Sequence, residues 1–260
     1  MKFSILITSY NKKNYIEECI LSCLKQDYLE KEIILLDNNS TDGSDIIFRK
    51  YEKDIKIVNK EKISNFPALN QLDLIKEGLS ISTGDKICLL DGDDYFFKNK
   101  LSIIRKEFET NLNLKVVFDL PLIKKNNNYS KFKIKNKIQK NIWPTVINTS
   151  SISIEKQFLK DILKNTYIDD YSFLEIDFRI NIYSRNIKKN YNITKKPYTV
   201  YRQLDDSIMG NMKKYSKKWW IKRKQAHEFM KIIYFNNGMN YNNKADLLLT
   251  DLVNKIIKLK

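Results

Sequence analysis

Four times in the first 110 residues, a short and nearly unbroken apolar run is followed by a segment with helical spacing. The runs are Phe3 to Thr8, Glu32 to Leu36, Ile55 to Val58 and Ile87 to Leu90. The helical segments cover about 14–26, 40–53, 67–82 and 98–110, and a further strand pattern spans Leu114 to Phe118. Ile16, Cys19, Ile20, Cys23 and Leu24 share one face of the first helix. None of the strands alternates apolar with polar, so both of their faces must be covered. That demands a parallel sheet with helices on each side. Right-handed crossovers then leave few topologies, and ligands bind at the carboxyl edge of such a sheet.

Polar residues stand where three of these runs end: Thr8-Ser9-Tyr10-Asn11, Asp37-Asn38, and Asp91-Gly92-Asp93-Asp94. A shared sheet edge would bring them together. Three carboxylates around one glycine repel one another, and they ionise together most easily beside a cation. Oxygen-only ligands favour Mg²⁺ or Mn²⁺. A solvated acidic turn capping the next helix is the plain alternative. There is no Gly-x-Gly-x-x-Gly after the first strand and no Gly-Lys-Ser/Thr loop, so dinucleotide and P-loop readings lose their main support. A nucleotide could be held otherwise. Asp37 can accept hydrogen bonds from a base or ribose, Tyr10 offers a ring for stacking, and a metal at the acidic cluster can bridge a diphosphate.

Charge points to an anionic partner. The chain carries 47 Lys and Arg against 31 Asp and Glu, a net charge of +16. Lys, Asn and Ile are abundant throughout, so part of that excess reflects general composition. From Lys213 the sequence turns basic and aromatic, through Tyr215, Lys217, Lys218, Trp219, Trp220, Lys222, Arg223 and Lys224. Two readings follow: a helix docked on the rest of the protein with its lysines in water, or an anchor on an anionic bilayer. Nucleic-acid binding is the alternative function from a different class, since Lys, Arg and aromatics serve it. The acidic cluster argues against it by repelling phosphate. No apolar run reaches the length of a membrane span, and residues 1–10 read as a strand rather than a signal peptide. Cys19, Cys23 and Cys88 lie in apolar contexts without metal-ligand spacing, as expected of buried thiols in a reducing compartment. The single histidine, His227, excludes a site built on several histidines and reads as a packing or surface residue.

After Pro121 the pattern loosens. Residues 124–141, with Tyr129, Phe132, Ile134 and Ile138, suggest a hairpin or loop. A strand is expected over 150–154, helices over 155–163 and 173–184, and extended segments over 191–194 and 198–201. A helix ending near Phe235 and an amphipathic helix over 244–257 complete the chain.

Three motifs taken together, Thr8-Ser9-Tyr10-Asn11-Lys12, Glu32 to Leu36 followed by Asp37-Asn38-Asn39-Ser40-Thr41-Asp42-Gly43-Ser44, and Thr83-Gly84-Asp85 leading into Leu90-Asp91-Gly92-Asp93-Asp94, resemble the N-terminal half of family-2 glycosyltransferases with the GT-A fold. The resemblance is close over about residues 1–110. It implies a Rossmann-like, mostly parallel sheet flanked by helices, occupying 1–210, with a basic helical extension over 211–260. It implies that Thr8 and Tyr10 touch the base, that Asp37, with Asn38 beside it, reads the base, and that Asp91, Asp93 and Asp94 hold ribose, Mg²⁺ or Mn²⁺ and the sugar diphosphate. Asp93 and Asp94 are the first choices for the metal. Trp143 to Ile162, with Thr149-Ser150-Ser151, resembles the family's acceptor-side segment. Leu174-Glu175-Ile176-Asp177-Phe178 resembles its catalytic acidic stretch, with Glu175 as base and Asp177 second. Tyr201-Arg202 resembles a diphosphate contact.

The implied activity is an inverting, metal-dependent transfer, of hexosyl or N-acetylhexosaminyl type, from a nucleotide-diphosphate sugar. A UDP-sugar is the first choice of donor, and the acceptor is a glycan or lipid-linked hydroxyl in lipopolysaccharide or capsule synthesis. The implied location is the cytoplasm, with the inner face of the cytoplasmic membrane as a peripheral site. Nucleic acid is not an expected partner, and a nucleotidyltransferase, which would carry a Gly-rich basic loop, is the nearer rival. Two departures stand out. Ile75-Lys76 replaces a frequent Arg-Asn, and Leu204 replaces a frequent histidine after Tyr-Arg, with Asp205 or Asp206 as substitutes.

Overall fold

A computed structural model of the chain describes residues 1–134, 145–165, 171–204, 212–242 and 244–258. In chain order the elements are β1 (Phe3–Ser9), α1 (Ile16–Leu24), β2 (Lys31–Asp37), α2 (Ser44–Phe48), β3 (Lys56–Asn59), α3 (Pro67–Ile81), β4 (Lys86–Asp91), β5 (Tyr95–Phe96) and α4 (Lys100–Thr110). Then follow β6 (Val116–Phe118), β7 (Leu122–Lys125), β8 (Asn128–Lys131), β9 (Ile152–Glu155), α5 (Lys156–Asn165), α6 (Ile176–Asn181), β10 (Tyr191–Ile193), β11 (Thr199–Arg202), α7 (Lys217–Asn236) and α8 (Lys244–Lys258).

A seven-stranded sheet runs in the order β10-β6-β9-β4-β1-β2-β3. The four strands read from the apolar runs lie side by side and parallel, with β1 at their centre. Its residues alternate between two cores. Leu6 joins Leu36, Leu72, Ile75 and Leu89 on one face, while Ile5 and Ile7 join Cys19, Ile20, Leu90 and Ile104 on the other. All three cysteines are buried free thiols. α3 lies so close to the sheet that a Cβ at Gly78 would stand 2.7 Å from Leu36 Cδ1, which explains a glycine inside that helix. Ile75 is fully buried beneath it, where it packs against the core and cannot meet a ligand.

β9 breaks the parallel order, pairing antiparallel with both β4 and β6. A second sheet runs β5-β11-β7-β8, and its β7 and β8 form a hairpin that includes the first part of the stretch read as a hairpin or loop. The second helix is shorter than its spacing suggested: α2 starts after Gly43, which adopts φ of +86°, and gives way to a 3-10 turn at Arg49–Tyr51. α6 passes into a π-helical stretch over Ile182–Lys188. Ala226, Phe229, Met230 and Ile233 of α7 enter the larger core. Ile138, Trp143, Asp205 and Asp206 lie outside the described residues. No helix among the described residues is long and apolar enough to cross a membrane.

One polar knot beneath the carboxyl edge had no signature in the sequence. Lys100, at the start of α4, is fully buried and bonds Asp119 Oδ1, the Ser150 carbonyl and Thr199 Oγ1, each at 2.8 Å. It ties α4 to the ends of β6 and β11 and to the turn before β9. Removing one partner would strand a buried charge. Lys100→Met is therefore expected to cost about 3–5 kcal/mol in denaturant unfolding, with Asp119→Asn similar.

Candidate active site

The register fixes the site. Thr8 pairs with Asp91 and Ser9 with Asp37, so the ends of β1, β2 and β4 reach the same sheet edge. Above it opens a cavity of about 620 Å³. Thr8, Tyr10, Asn38, Asp91, Asp93, Glu175, Asp177 and Arg202 all line it.

Asp37 and Asp94, expected at the base and at the metal, are not among the lining residues. Asp37 is 1% exposed and turns into its own loop, where Oδ2 accepts the Ser40 N–H at 2.7 Å and Oδ1 accepts the Ser40 hydroxyl at 2.6 Å. Successive residues of an extended strand point to opposite sides, so the neighbour faces the cavity. Asn38 holds that place, with its backbone N–H on the Ser9 carbonyl and its side-chain amide on the Lys60 carbonyl at 3.2 Å. Asp94 is fully buried. Its Oδ2 accepts the Ser150 hydroxyl at 2.5 Å and its Oδ1 accepts the Arg202 backbone N–H at 2.7 Å. Burial, reinforced by the charges of Asp93 and Asp91, holds its carboxyl well above the usual range. Asp94 is a tie between the acidic turn and β11, not a cavity-facing ligand. Among the described residues, no three carboxylate, imidazole or thiol groups converge on one point.

The remaining acids are differentiated. Asp91 Oδ1 accepts from Thr8 Oγ1 at 3.1 Å and from Gln71 Nε2 at 2.7 Å. Burial and then the Asp93 charge push its pKa to about 7. Asp93 pairs with Lys12 Nζ at 2.5 Å. Gly92 between them sits against β1, where a Cβ would lie 3.2 Å from both the Thr8 carbonyl and Ile16 Cδ1, a tight fit that glycine avoids. The Arg202 guanidinium bonds the Asp93 carbonyl and Glu18, and stacks near Tyr15 and Tyr95. Tyr10 is exposed, with Lys62 Nζ 3.1 Å from its ring centroid.

On the same cavity, Glu175 stands at the N-cap of α6, with Asp177 in the helix's first turn. Lys222, from α7, contacts both Glu175 oxygens at 2.6 Å. Burial, then the charge of Glu175, raises Asp177 to about pKa 7 against the Lys222 ammonium. Its ordinary value is 3.8, so the folded protein holds this proton more tightly than the unfolded chain does. The resulting stabilisation is complete below about pH 4 and is lost as pH rises through about 7. The ligand-free protein is thus expected to melt at lower temperature as pH rises from about 5 to about 8, and Asp177→Asn to flatten that decline in a calorimetric series.

Lys12, Gln71, Lys62 and Lys222 were not singled out as site residues by sequence. Lys12 lay inside a quoted motif and could have been found. Lys222 is one of several lysines in a basic run, and Gln71 one of many polar helix residues, so neither carries a signal of its own.

The profile of the family described as glycosyl transferase family 2 matches residues 4–166. The chain belongs to that family. The family-2 chain is 32% identical over 130 residues to an uncharacterized glycosyltransferase of Nostoc sp., covering 49% of the chain and 39% of that protein. It is 29% identical over 133 residues to a GalNAc(5)-diNAcBac-PP-undecaprenol beta-1,3-glucosyltransferase of Campylobacter jejuni, covering 50% and 41%. It therefore spans well under two thirds of the length of these curated relatives. Among solved structures, residues 1–349 of Staphylococcus aureus TarS in complex with UDP-GlcNAc superpose with a TM-score of 0.66 at 17% identity, covering 98% of this chain and 70% of that one. A Pyrobaculum calidifontis mannosyltransferase in complex with GDP-Man and Mn²⁺ gives 0.55 at 17% identity, covering 96% and 73%. These likenesses establish the fold as the GT-A arrangement of a mostly parallel sheet flanked by helices.

Proposed function

We propose that this chain transfers a sugar, with inversion, from a nucleotide-diphosphate sugar to a hydroxyl of a glycan or lipid-linked acceptor. The observation that carries the reading is the convergence on one cavity of Thr8, Tyr10, Asn38, Asp91, Asp93 and Glu175, in a family-2 chain. A UDP-sugar is the first donor to test, because TarS is described in complex with UDP-GlcNAc. The PP-undecaprenol in the name of the Campylobacter relative supports a lipid-linked acceptor, and surface polysaccharide assembly at the inner face of the cytoplasmic membrane is the role proposed with it.

In this reading Tyr10 offers its ring to the base and Asn38 its amide, which supplies both a donor and an acceptor. Asp91 is braced by Thr8 and Gln71 for the ribose side. Arg202 holds the acidic turn through the Asp93 carbonyl. Glu175, which lines the same cavity, takes the proton of the acceptor hydroxyl. The acceptor oxygen then bonds the anomeric carbon as the bond to the diphosphate oxygen breaks, and the diphosphate leaves with that electron pair. A carboxylate opposite the leaving group is what inversion requires, as in inverting hydrolases. Lys222 fixes Glu175 by both oxygens, and each oxygen keeps a lone pair for the incoming hydroxyl.

The cavity fits a divalent ion. Its donors are oxygen only, and Mg²⁺ or Mn²⁺ needs just one or two carboxylates when substrate phosphates supply the rest. Asp93 would hold it, with Asp91 beside it, and Lys12 is the cation that already balances Asp93. When bound, such an ion neutralises charge on the departing diphosphate. Incubation with UDP-, GDP- and dTDP-sugars, Mn²⁺ and crude lipid-linked glycan tests the proposal. Release of nucleotide from one of them is expected, and silence across the panel overturns it.

A further inference from the structure

The last helix leaves most of its large apolar side chains exposed. An amphipathic helix on a globular protein turns its apolar stripe inward. In α8 the apolar residues are split: Leu247, Val253 and Ile257 are half-buried, while the buried positions, Thr250 and Asn254, are polar. Asp246, Thr250 and Asn254, spaced four apart, make the stripe that faces α7. Asp246 bonds Arg223 and His227, and Asn254 donates to the Trp220 carbonyl at 3.1 Å. Thr250 and Asn254 are buried, while Leu248, Leu249, Leu252 and Ile256 are 68%, 52%, 57% and 51% exposed. These four residues occupy the opposite side of the helix, and a continuous apolar face in water marks a surface that meets something.

Charge decides what. From Lys213 to the end of the chain there are twelve Lys and Arg against three Asp and Glu. Lys255 is exposed on α8 between Leu252 and Ile256, and Lys217, Lys218 and Lys231 are exposed on α7, together with Ile232 and Phe235. A second copy of the chain would bring the same positive charge against this face, which like-charge repulsion opposes. A nucleic acid would match the lysines and leave the leucines in water. An anionic bilayer matches both: leucine and isoleucine enter the acyl boundary while lysines meet lipid phosphates. The Trp219-Trp220 pair is not the anchor. Both rings are only partly exposed and pack on each other, with Tyr215 and Arg223 alongside.

We infer that α8 is an interfacial helix that lies on an anionic phospholipid surface through Leu248, Leu249, Leu252 and Ile256. The inference gives the membrane side of the proposed function, on which it builds, a specific surface. It requires no sugar transfer, so its test is run without donor and stands or falls separately.

The test is co-sedimentation of the 260-residue chain with phosphatidylcholine vesicles and with vesicles containing phosphatidylglycerol, in ~150 mM salt. The wild type is expected to pellet with the anionic vesicles and to remain largely in solution with the neutral ones. The double variant Leu248→Gln and Leu252→Gln is expected to lose at least roughly tenfold in vesicle affinity. Its melting temperature should be unchanged, because neither side chain packs inward. The inference is overturned if the wild type ignores anionic vesicles, or if the double variant binds them equally well, since the lysines alone would then suffice. It is also overturned if sedimentation equilibrium shows a dimer that the double substitution dissociates, which would assign the face to a second copy.

Discussion

Glu175→Gln is expected to bind donor as the wild type does and to transfer sugar about 10²–10⁴-fold more slowly, the range that a positioned general base contributes. The substitution keeps the shape of the side chain at the N-cap of α6 and removes its ability to take a proton. The loss should fall on kcat rather than KM, because the proton moves only in the transition state. Single-turnover transfer measured beside equilibrium donor binding separates the two. If Glu175→Gln transfers normally, the base lies elsewhere, and Asp177, in the first turn of the same helix and with a pKa of about 7, is the next to test. Lys222 matters to this reading because it bonds both oxygens of Glu175 from a helix that sequence alone placed outside the nucleotide-binding region.

The second large effect belongs to Asp93. Asp93→Asn is expected to abolish the metal-dependent part of donor binding and to lower kcat/KM at least about a hundredfold, or about 2.7 kcal/mol of transition-state stabilisation. Asp94→Asn serves as the contrast. Its carboxyl points inward to Ser150 and the Arg202 N–H, so its substitution should register as lost thermal stability, with Mn²⁺ dependence retained. Titration of Mn²⁺ against donor affinity in both variants distinguishes them. Equal loss of Mn²⁺ dependence in the two would mean that the buried orientation of Asp94 does not persist when donor binds.

The sheet was legible because its evidence is local. Four apolar runs, each closed by polar residues, gave the parallel core and the edge where a ligand would sit. What remained hidden was orientation. At Asp37-Asn38 two adjacent polar residues end an apolar run, at Asp93-Asp94 two stand just beyond one, and nothing in either run distinguishes the inward side from the outward. Burial on both faces erases the alternation that would have marked it. The structure turns Asp37 and Asp94 in, toward hydroxyls and backbone N–H groups, and leaves Asn38 and Asp93 to the cavity. The antiparallel β9 was hidden for a related reason: a short apolar run reads the same in either direction. Lys100 and Lys222 were hidden because a lysine's partner lies 19 or more residues away and spacing carries no trace of it. The amphipathic pattern of α8 was plain in the sequence, but which of its faces turns inward was not.

Thermal melting against nucleotide sugars, with and without Mn²⁺, tests most directly whether one rim grips a divalent ion and a sugar-bearing diphosphate together. One nucleotide sugar, a UDP-sugar first, should raise the melting temperature by several degrees when Mn²⁺ is present and much less when it is chelated. Asp93→Asn should erase the difference. A melting temperature that no UDP-, GDP- or dTDP-sugar moves, with or without Mn²⁺, would contradict the account.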